Sequence, residues 1–159
     1  MEEKRIIKHM ITTILIVIVS FFIWNNNPCQ AGARIAASYN DRNMQILFDG
    51  FEHLICMEDD NYMKLTPTVL SLRNTTNKSR EYKLYFTIAK TSTVPYDSLK
   101  LAIDDTVYDL KNTEYIEDDT YMYFLLKTDD LDGYTNTSMD IRIWTTVESG
   151  KLISSFITR

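Results

Sequence analysis

The stretch Glu81-Tyr-Lys-Leu-Tyr-Phe-Thr-Ile-Ala89 is the clearest strand in this sequence and decides its fold class. Its side chains fall on two faces, with Tyr82, Leu84, Phe86 and Ile88 on one, and Glu81, Lys83, Tyr85 and Thr87 on the other. A period of two is what an antiparallel strand with one buried face requires. The stretch therefore predicts a β domain whose core lies on the face of Tyr82 and Phe86.

Similar segments lie on both sides of this strand. Further strands are predicted at Thr66–Arg73, Ser98–Ile103, Thr106–Leu110, Thr120–Thr128, Ser138–Val147 and Lys151–Ile157. Turn residues separate them, as in Asn74–Lys78 and Asp129–Asn136. Thr120–Thr128 is apolar on both faces, which predicts a central strand. A series of short strands without a convincing helix predicts two packed antiparallel sheets, an immunoglobulin-like β-sandwich. We expect Lys83, Lys100 and Arg142 to protect its edges.

Residues 34–57 admit two interpretations. Their apolar side chains fall at helical spacing and would form one face of a helix, at Met44, Leu47, Phe51, Leu54 and Ile55. The other interpretation is two short strands, near Arg34–Tyr39 and Met44–Phe48, with a hairpin turn at Asp49-Gly50. We favour strands, because Gly50 in the middle of a helix would cost about 1 kcal/mol relative to alanine.

The run from Met10 to Trp24 contains no charged residue and determines where the rest of the chain resides. In lipid it should be helical, because a helix satisfies its own backbone hydrogen bonds. We favour a single-pass membrane anchor. A signal peptide cleaved near Ala31-Gly32-Ala33 is the main alternative, and a buried core helix is a third. Because basic residues precede the run, the N-terminus is expected in the cytoplasm and the C-terminal domain outside the cell.

This run divides the chain into a short basic segment at 1–9, a transmembrane helix at 10–24, a polar spacer at 25–33 and an extracytoplasmic β domain at 34–159. The whole chain has 17 basic and 22 acidic residues, a formal net charge of −5. Nucleic-acid binding needs a basic footprint. We therefore expect no nucleic-acid partner.

The sequence assembles no catalytic, cofactor or metal site. His53 is the sole histidine of the β domain, so the His-Glu-x-x-His pattern of zinc proteases is missing. His53 and Cys56 would supply only two zinc ligands, and a Cys–His nucleophile pair would have no orienting group. The acidic stretch Asp129–Gly133 is spaced like part of a calcium loop but lacks the distal glutamate. We expect a protein that is not an enzyme.

The cysteines and the aromatic residues leave further alternatives open. Cys29 and Cys56 are the two cysteines of the chain. They could pair in an oxidising exterior or remain free thiols. Ten tyrosines and two tryptophans are many for this length, and most of them fall on predicted strands. They are typical of core packing and cross-strand pairs, or of an exposed aromatic patch that binds a partner.

The stretch Thr68-Val-Leu-Ser-Leu-Arg-Asn-Thr-Thr-Asn-Lys-Ser-Arg-Glu-Tyr-Lys-Leu-Tyr-Phe86 consists of a strand, an Asn-Thr turn and a Tyr-x-Leu strand. With Met139-Asp-Ile-Arg-Ile-Trp144, it resembles the exported camelysin and TasA-like β-sandwich proteins of Gram-positive bacteria, over residues 66–147. The resemblance implies assembly into surface or matrix fibres, and for some members a metalloprotease activity. Family members carry a cleavage site directly after the apolar run, whereas Ala31-Gly32-Ala33 lies far beyond Trp24.

We therefore expect a membrane-anchored, extracytoplasmic β-sandwich that mediates protein–protein interaction in a cell-surface or envelope assembly. Its partners would be the membrane, through Met10–Trp24, and other envelope proteins or further copies of the chain. Anchoring raises the local concentration, so that weak contacts suffice. The alternatives are a secreted fibre or matrix subunit released by signal peptidase, and a metal-dependent hydrolase.

Overall fold

A computed structural model of the chain describes residues 30–37, 43–48, 50–147 and 150–159. The predicted membrane segment Met10–Trp24 lies outside these residues. Within them, none of the helical turns has the length and hydropathy needed to cross a bilayer.

The described residues form a mainly β structure. Its strands are β1 (Gln30–Ala37), β2 (Met44–Phe48), β3 (Phe51–Cys56), β4 (Thr68–Asn74), β5 (Arg80–Ala89), β6 (Leu99–Ile103), β7 (Thr106–Asp109), β8 (Tyr115–Glu117), β9 (Tyr121–Leu131), β10 (Asn136–Thr145) and β11 (Lys151–Thr158). Short 3₁₀ turns occur at Asp59–Lys64, Tyr96–Ser98 and Leu110–Asn112. The mainly β fold expected from the sequence is confirmed.

The strands form two largely antiparallel sheets that share one hydrophobic core. One sheet has the order β2-β4-β10-β6-β7, and the other has the order β3-β1-β11-β5-β9-β8. A short parallel pairing joins them, in which Trp144 and Thr145 of β10 lie beside Ile55 and Cys56 of β3. The arrangement is sandwich-like, because the inward faces of both sheets contribute to the same core.

The core follows the alternation of the strands. On β5 the face predicted to be inward is buried, with Tyr82, Leu84, Phe86 and Ile88 at most 2% exposed. From the other sheet, β4 and β10 contribute buried side chains at Leu70, Leu72, Met139, Ile141 and Ile143. Phe86 and Phe156 meet with their ring centres 5.2 Å apart. The inward face predicted for the stretch Glu81–Ala89 is thus confirmed.

Residues 34–57 contain strands, so the helical interpretation is wrong for the described residues. The strand Met44–Phe48 is found as predicted. β1 begins at Gln30, inside the segment 25–33 that the sequence predicts as a spacer. β1 lies between two neighbours, since it pairs with both β3 and β11.

No hairpin forms across Asp49-Gly50, in contrast to the prediction. β2 pairs with β4, whereas β3 pairs with β1 and β10. The link between β2 and β3 therefore carries the chain from one sheet to the other. Gly50 has a φ of 82°, which glycine adopts without steric cost. An Asp-Gly pair predicts a sharp bend, but the burial of the flanking strands decides whether they pair.

The prediction that Lys83, Lys100 and Arg142 protect sheet edges is wrong. Each lies on a strand with neighbours on both sides, in β5, β6 and β10 respectively. Lys100 instead lies 3.8 Å from the carboxylate of Asp109 on the adjacent strand β7. The strands β2, β7 and β8 lie at sheet edges.

The turn Asn74–Lys78 is fixed by one fully buried side chain. The Asn74 amide group donates to the carbonyl oxygens of Lys78 and Leu131, each at 2.8 Å. Its Oδ1 accepts from the backbone N–H of Thr76 at 2.9 Å and from the Thr76 hydroxyl at 2.7 Å. Asn74 therefore ties the β4–β5 turn to the end of β9. The amide uses both donors and both acceptor positions, as a buried asparagine requires.

Candidate functional site: a tyrosine-rich surface

The residues considered as metal ligands do not form a site in the described part of the chain. No group of three or more His, Cys, Asp or Glu residues there is arranged to hold a metal ion. The carboxylates of Asp129 and Asp130 lie on β9 rather than in a loop, since β9 extends to Leu131. Cys56 is disulfide-bonded and is therefore not a free thiol. Cys29 lies outside the described residues, and so does the side chain of His53.

The exposed aromatic patch that the sequence offered as an alternative is found on the outer face of β5, β8 and β9. We call it the tyrosine surface and define it as Tyr85, Ile116, Tyr121, Tyr123 and Leu125. Tyr85 lies opposite Leu125, and Ile116 lies opposite Tyr123, so the strand register brings these side chains to one face. Ile116 is 55% exposed and Leu125 is 39% exposed. Apolar side chains of this size are thus presented to solvent as a contiguous group.

A groove of about 160 Å³ crosses this surface, lined by Tyr85, Tyr123, Leu125, Ile116, Tyr115 and Glu114. Tyr115 forms one wall and packs against the core, with its ring centre 5.1 Å from that of Phe124 and 5.5 Å from that of Tyr96. A hydrogen bond between the hydroxyls of Tyr96 and Tyr115 raises the pKa of Tyr96. Glu114 provides the single charge of the lining. The lining of the groove is therefore mainly apolar and aromatic, with one carboxylate.

Tyr123, at the centre of the tyrosine surface, is held from both sides. Its hydroxyl donates to the Asp118 carboxylate at 2.6 Å, and this hydrogen bond raises the pKa of Tyr123. The guanidinium of Arg159 lies over the same ring, 4.6 Å from its centre, within the range of a cation–π contact. Contacts within the chain therefore hold the ring in one orientation.

Asp118 is fixed in turn by the backbone. One carboxylate oxygen accepts from the N–H groups of Thr120 and Tyr121, both at 2.8 Å. The hydrogen bond from Tyr123 and these two backbone bonds lower the pKa of Asp118 to about 2. The carboxylate is therefore ionised throughout the neutral range. It forms the end of a short β8–β9 hairpin whose turn positions the tyrosine surface.

The edge of the sheet continues beyond this surface. β8 pairs with Met122–Phe124 of β9, while β9 itself extends to Leu131. Within the described residues, Leu125–Leu131 pair with β5 alone, so their other side is an open edge. The Asp129 carboxylate accepts from the N–H of Asp130 at 2.9 Å and lies 3.0 Å from the ammonium of Lys127. These contacts lower the pKa of Asp129. Charged side chains on this part of the edge therefore disfavour pairing with a strand of another chain.

The sequence indicated this site only indirectly. Thr120–Thr128 is apolar on both faces, a pattern that predicts a central strand. In the structure β9 has a three-residue strand as its outer neighbour, and its side chains Tyr121 and Leu125 are exposed. Glu114–Glu117 gave no strand signal of its own, because it is too short and polar to show alternation. When both faces of a strand are apolar, the second face can therefore be either buried or exposed as a surface patch.

Comparison with known proteins adds no relative. No protein-family model matches the chain, and no curated protein matches it either. The resemblance to camelysin and TasA-like proteins over residues 66–147 accordingly remains an expectation based on those residues.

Proposed function

We propose that this chain is a membrane-anchored, extracytoplasmic interaction module whose tyrosine surface binds another protein of the cell envelope. In this proposal the run Met10–Trp24 anchors the chain, and the described strands form an immunoglobulin-like sandwich outside the membrane. The protein has no catalytic role of its own.

The observation that carries the proposal is the pre-organised tyrosine surface. Protein interfaces are enriched in tyrosine and arginine, and the residues that dominate affinity are aromatic anchors. Tyr123 is fixed by Asp118 and Arg159 before binding, and the exposed side chains of Ile116 and Leu125 flank it. A rigid aromatic residue between exposed apolar side chains is well suited to bind the surface of another protein.

Two further features support a location outside the cytoplasm. Cys56 is disulfide-bonded, and structural disulfides persist in oxidising compartments but are rare in the cytoplasm. The apolar run Met10–Trp24 is preceded by basic residues, which favours a cytoplasmic N-terminus and export of the β domain. Protease added to intact cells should therefore degrade the β domain, and full protection of the domain would contradict this orientation.

Site-specific photocrosslinking tests the interaction. A photoreactive amino acid replaces Ile116 in the full-length chain expressed in its own cells, and crosslinked products are identified by mass spectrometry. We expect one discrete protein adduct, lost when Tyr123→Ser or Leu125→Ser is added. Position 107 serves as the matched control, because Val107 is 43% exposed but lies on β7 of the other sheet. Equal products from positions 116 and 107 would overturn the assignment of the surface.

One observation favours a second function, that of a secreted fibre or matrix subunit. The open edge at Leu125–Leu131 offers backbone groups to a strand of another copy. In that case signal peptidase would release the chain, and the mature protein would assemble without Met10–Trp24. N-terminal sequencing of the extracellular form separates the two functions. A start beyond Trp24 favours the fibre subunit, and an intact N-terminus favours the anchored module.

A further inference from the structure

A second surface lies on the outer face of the other sheet, formed by β2, β4 and β10. Strand register sets its side chains in two rows: Gln45, Arg73 and Asn136 in one, and Leu47, Ser71 and Ser138 in the other. The hydroxyls of Ser71 and Ser138 are hydrogen-bonded at 2.8 Å. We call this face the polar platform. Unlike the tyrosine surface, it consists mainly of amide, hydroxyl and guanidinium groups.

A groove of about 310 Å³ lies on this platform, lined by Leu47, Ser71, Arg73, Tyr134 and Asn136. Arg73 is exposed, and among the described residues it has no carboxylate within ion-pair distance. No acidic side chain belongs to the lining. In a chain of net charge −5, the groove is therefore a local cationic site with several neutral hydrogen-bonding groups.

Tyr134 lines this groove and has a backbone conformation that tyrosine rarely adopts. Its φ is 58°, in the left-handed region that favours glycine. The turn closes through a hydrogen bond from the N–H of Thr135 to the carbonyl of Asp132 at 3.2 Å. The adjacent Gly133 does not take the left-handed conformation in place of Tyr134, because a glycine is required at position 133 for steric reasons. A Cβ at position 133 would lie 2.5 Å from the backbone carbon of Asn77.

The Tyr134 side chain gains no burial in return for this conformation. It is 69% exposed, so packing does not explain why a large aromatic residue occupies the position. The backbone conformation belongs to the turn, because the N–H of Tyr134 donates to the carbonyl of Thr76 at 2.8 Å. The turn therefore holds Tyr134 at the groove with its ring exposed, where the ring is available to a ligand.

We propose that the polar platform binds a polysaccharide whose sugars carry carboxylate groups. The apolar C–H face of a pyranose ring would stack on Tyr134, where the negative face of the aromatic ring attracts it. The fork of Arg73 matches the geometry of a carboxylate. Ser71 and Asn136 would bind ring hydroxyls, since a few polar groups fix the orientation of a ligand. The binding would be weak for one unit and would be reinforced along the polymer.

The test measures binding of the full-length protein in detergent to polygalacturonate, with its methyl-esterified form as the matched neutral polymer. We expect binding to the acid form, and at least tenfold weaker binding to the ester. Tyr134→Gly should reduce binding at least tenfold while preserving the fold, because glycine adopts the required φ freely. Tyr134→Phe should retain binding, since it keeps the ring. Arg73→Gln should remove the preference for the acid form.

Tyr121→Ser, on the tyrosine surface, serves as the control and should leave polysaccharide binding unchanged. This control separates the two proposals, because it alters the protein-binding surface alone. Equal affinity for the acid and ester polymers would overturn the proposed role of Arg73. Wild-type binding by Tyr134→Gly would overturn the site itself. Loss of an envelope-protein crosslink in that variant, without polysaccharide binding by the wild type, would show that the platform binds protein instead.

Discussion

Replacement of Asn74 by alanine should clearly destabilise the protein. The side chain is fully buried and makes four hydrogen bonds, to Thr76, Lys78 and Leu131. At about 1 kcal/mol net for each bond, the upper value is about 4 kcal/mol. Because the groups on Thr76 and Lys78 are only partly buried and can bind water, we expect about 2–3 kcal/mol. That loss corresponds to a fall in Tm of about 5–10 °C for a domain of this size.

Urea unfolding of the full-length chain, followed by fluorescence, measures this loss. Trp144 is a suitable reporter, because it is buried and its ring stacks on Tyr62 with centres 5.0 Å apart. Asn77→Ala is the matched control in the same turn, since Asn77 is exposed. It should change stability by less than about 0.5 kcal/mol. A loss below about 1 kcal/mol in Asn74→Ala would refute the view that this amide joins the turn to β9.

The substitution Asn74→Asp tests the same hydrogen bonds by replacing the amide group with a carboxylate. The carboxylate would keep the acceptor bonds from Thr76 but would face the carbonyl oxygens of Lys78 and Leu131 without a donor. We expect this variant to be less stable than Asn74→Ala at neutral pH. Its stability should recover in acid, where the protonated group again donates one hydrogen bond. No recovery in acid would contradict the assignment of the amide donors.

Three further predictions concern other parts of the chain. Gly133→Ala should destabilise the fold by about 1–3 kcal/mol, because the added Cβ would overlap the backbone of the neighbouring turn; unfolding by urea measures it. The pKa of Asp118 is lowered to about 2, so its contribution to stability should be present above about pH 4 and should disappear as the pH falls towards 2. Acid titration of wild type against Asp118→Asn measures this difference, which should vanish at low pH. Cys29→Ser should make the thiol of Cys56 reactive towards alkylating reagents in the unfolded chain, whereas the wild type should remain unreactive without reductant.

The sequence predicted those parts of the fold in which one strand face is buried. β4, β5, β6, β10 and β11 lie where the alternation placed them, since burial of one face imposes a period of two. The prediction from sequence failed for strands whose position in the sheet depends on which strands lie beside them. β3 and β8 were missed, and β9 was predicted to be central although β8 is its only outer neighbour among the described strands. Strand order is a tertiary property, and the alternation within a single strand does not contain it.

The two candidate surfaces were likewise predicted only in part from the sequence. An exposed aromatic patch was one of two interpretations of the many tyrosines, but its members are distant in sequence and meet only through strand register. Tyr134 had no sequence signal, because Asp132-Gly133 predicts a turn without indicating which residue takes the positive φ. The structure shows that the clash at Gly133 fixes the glycine there and leaves the left-handed position to Tyr134.

The parallel pairing of β1 with β11 affects how this chain can fold. Gly32 lies beside Lys151, and Ala37 lies beside Phe156, so the sheet that contains β5 closes only when segments from distant parts of the chain meet. Contacts between such distant segments slow folding, because the loop entropy is lost before the contacts form. Refolding should therefore take milliseconds to seconds, as in other domains whose strands pair mainly with distant parts of the chain.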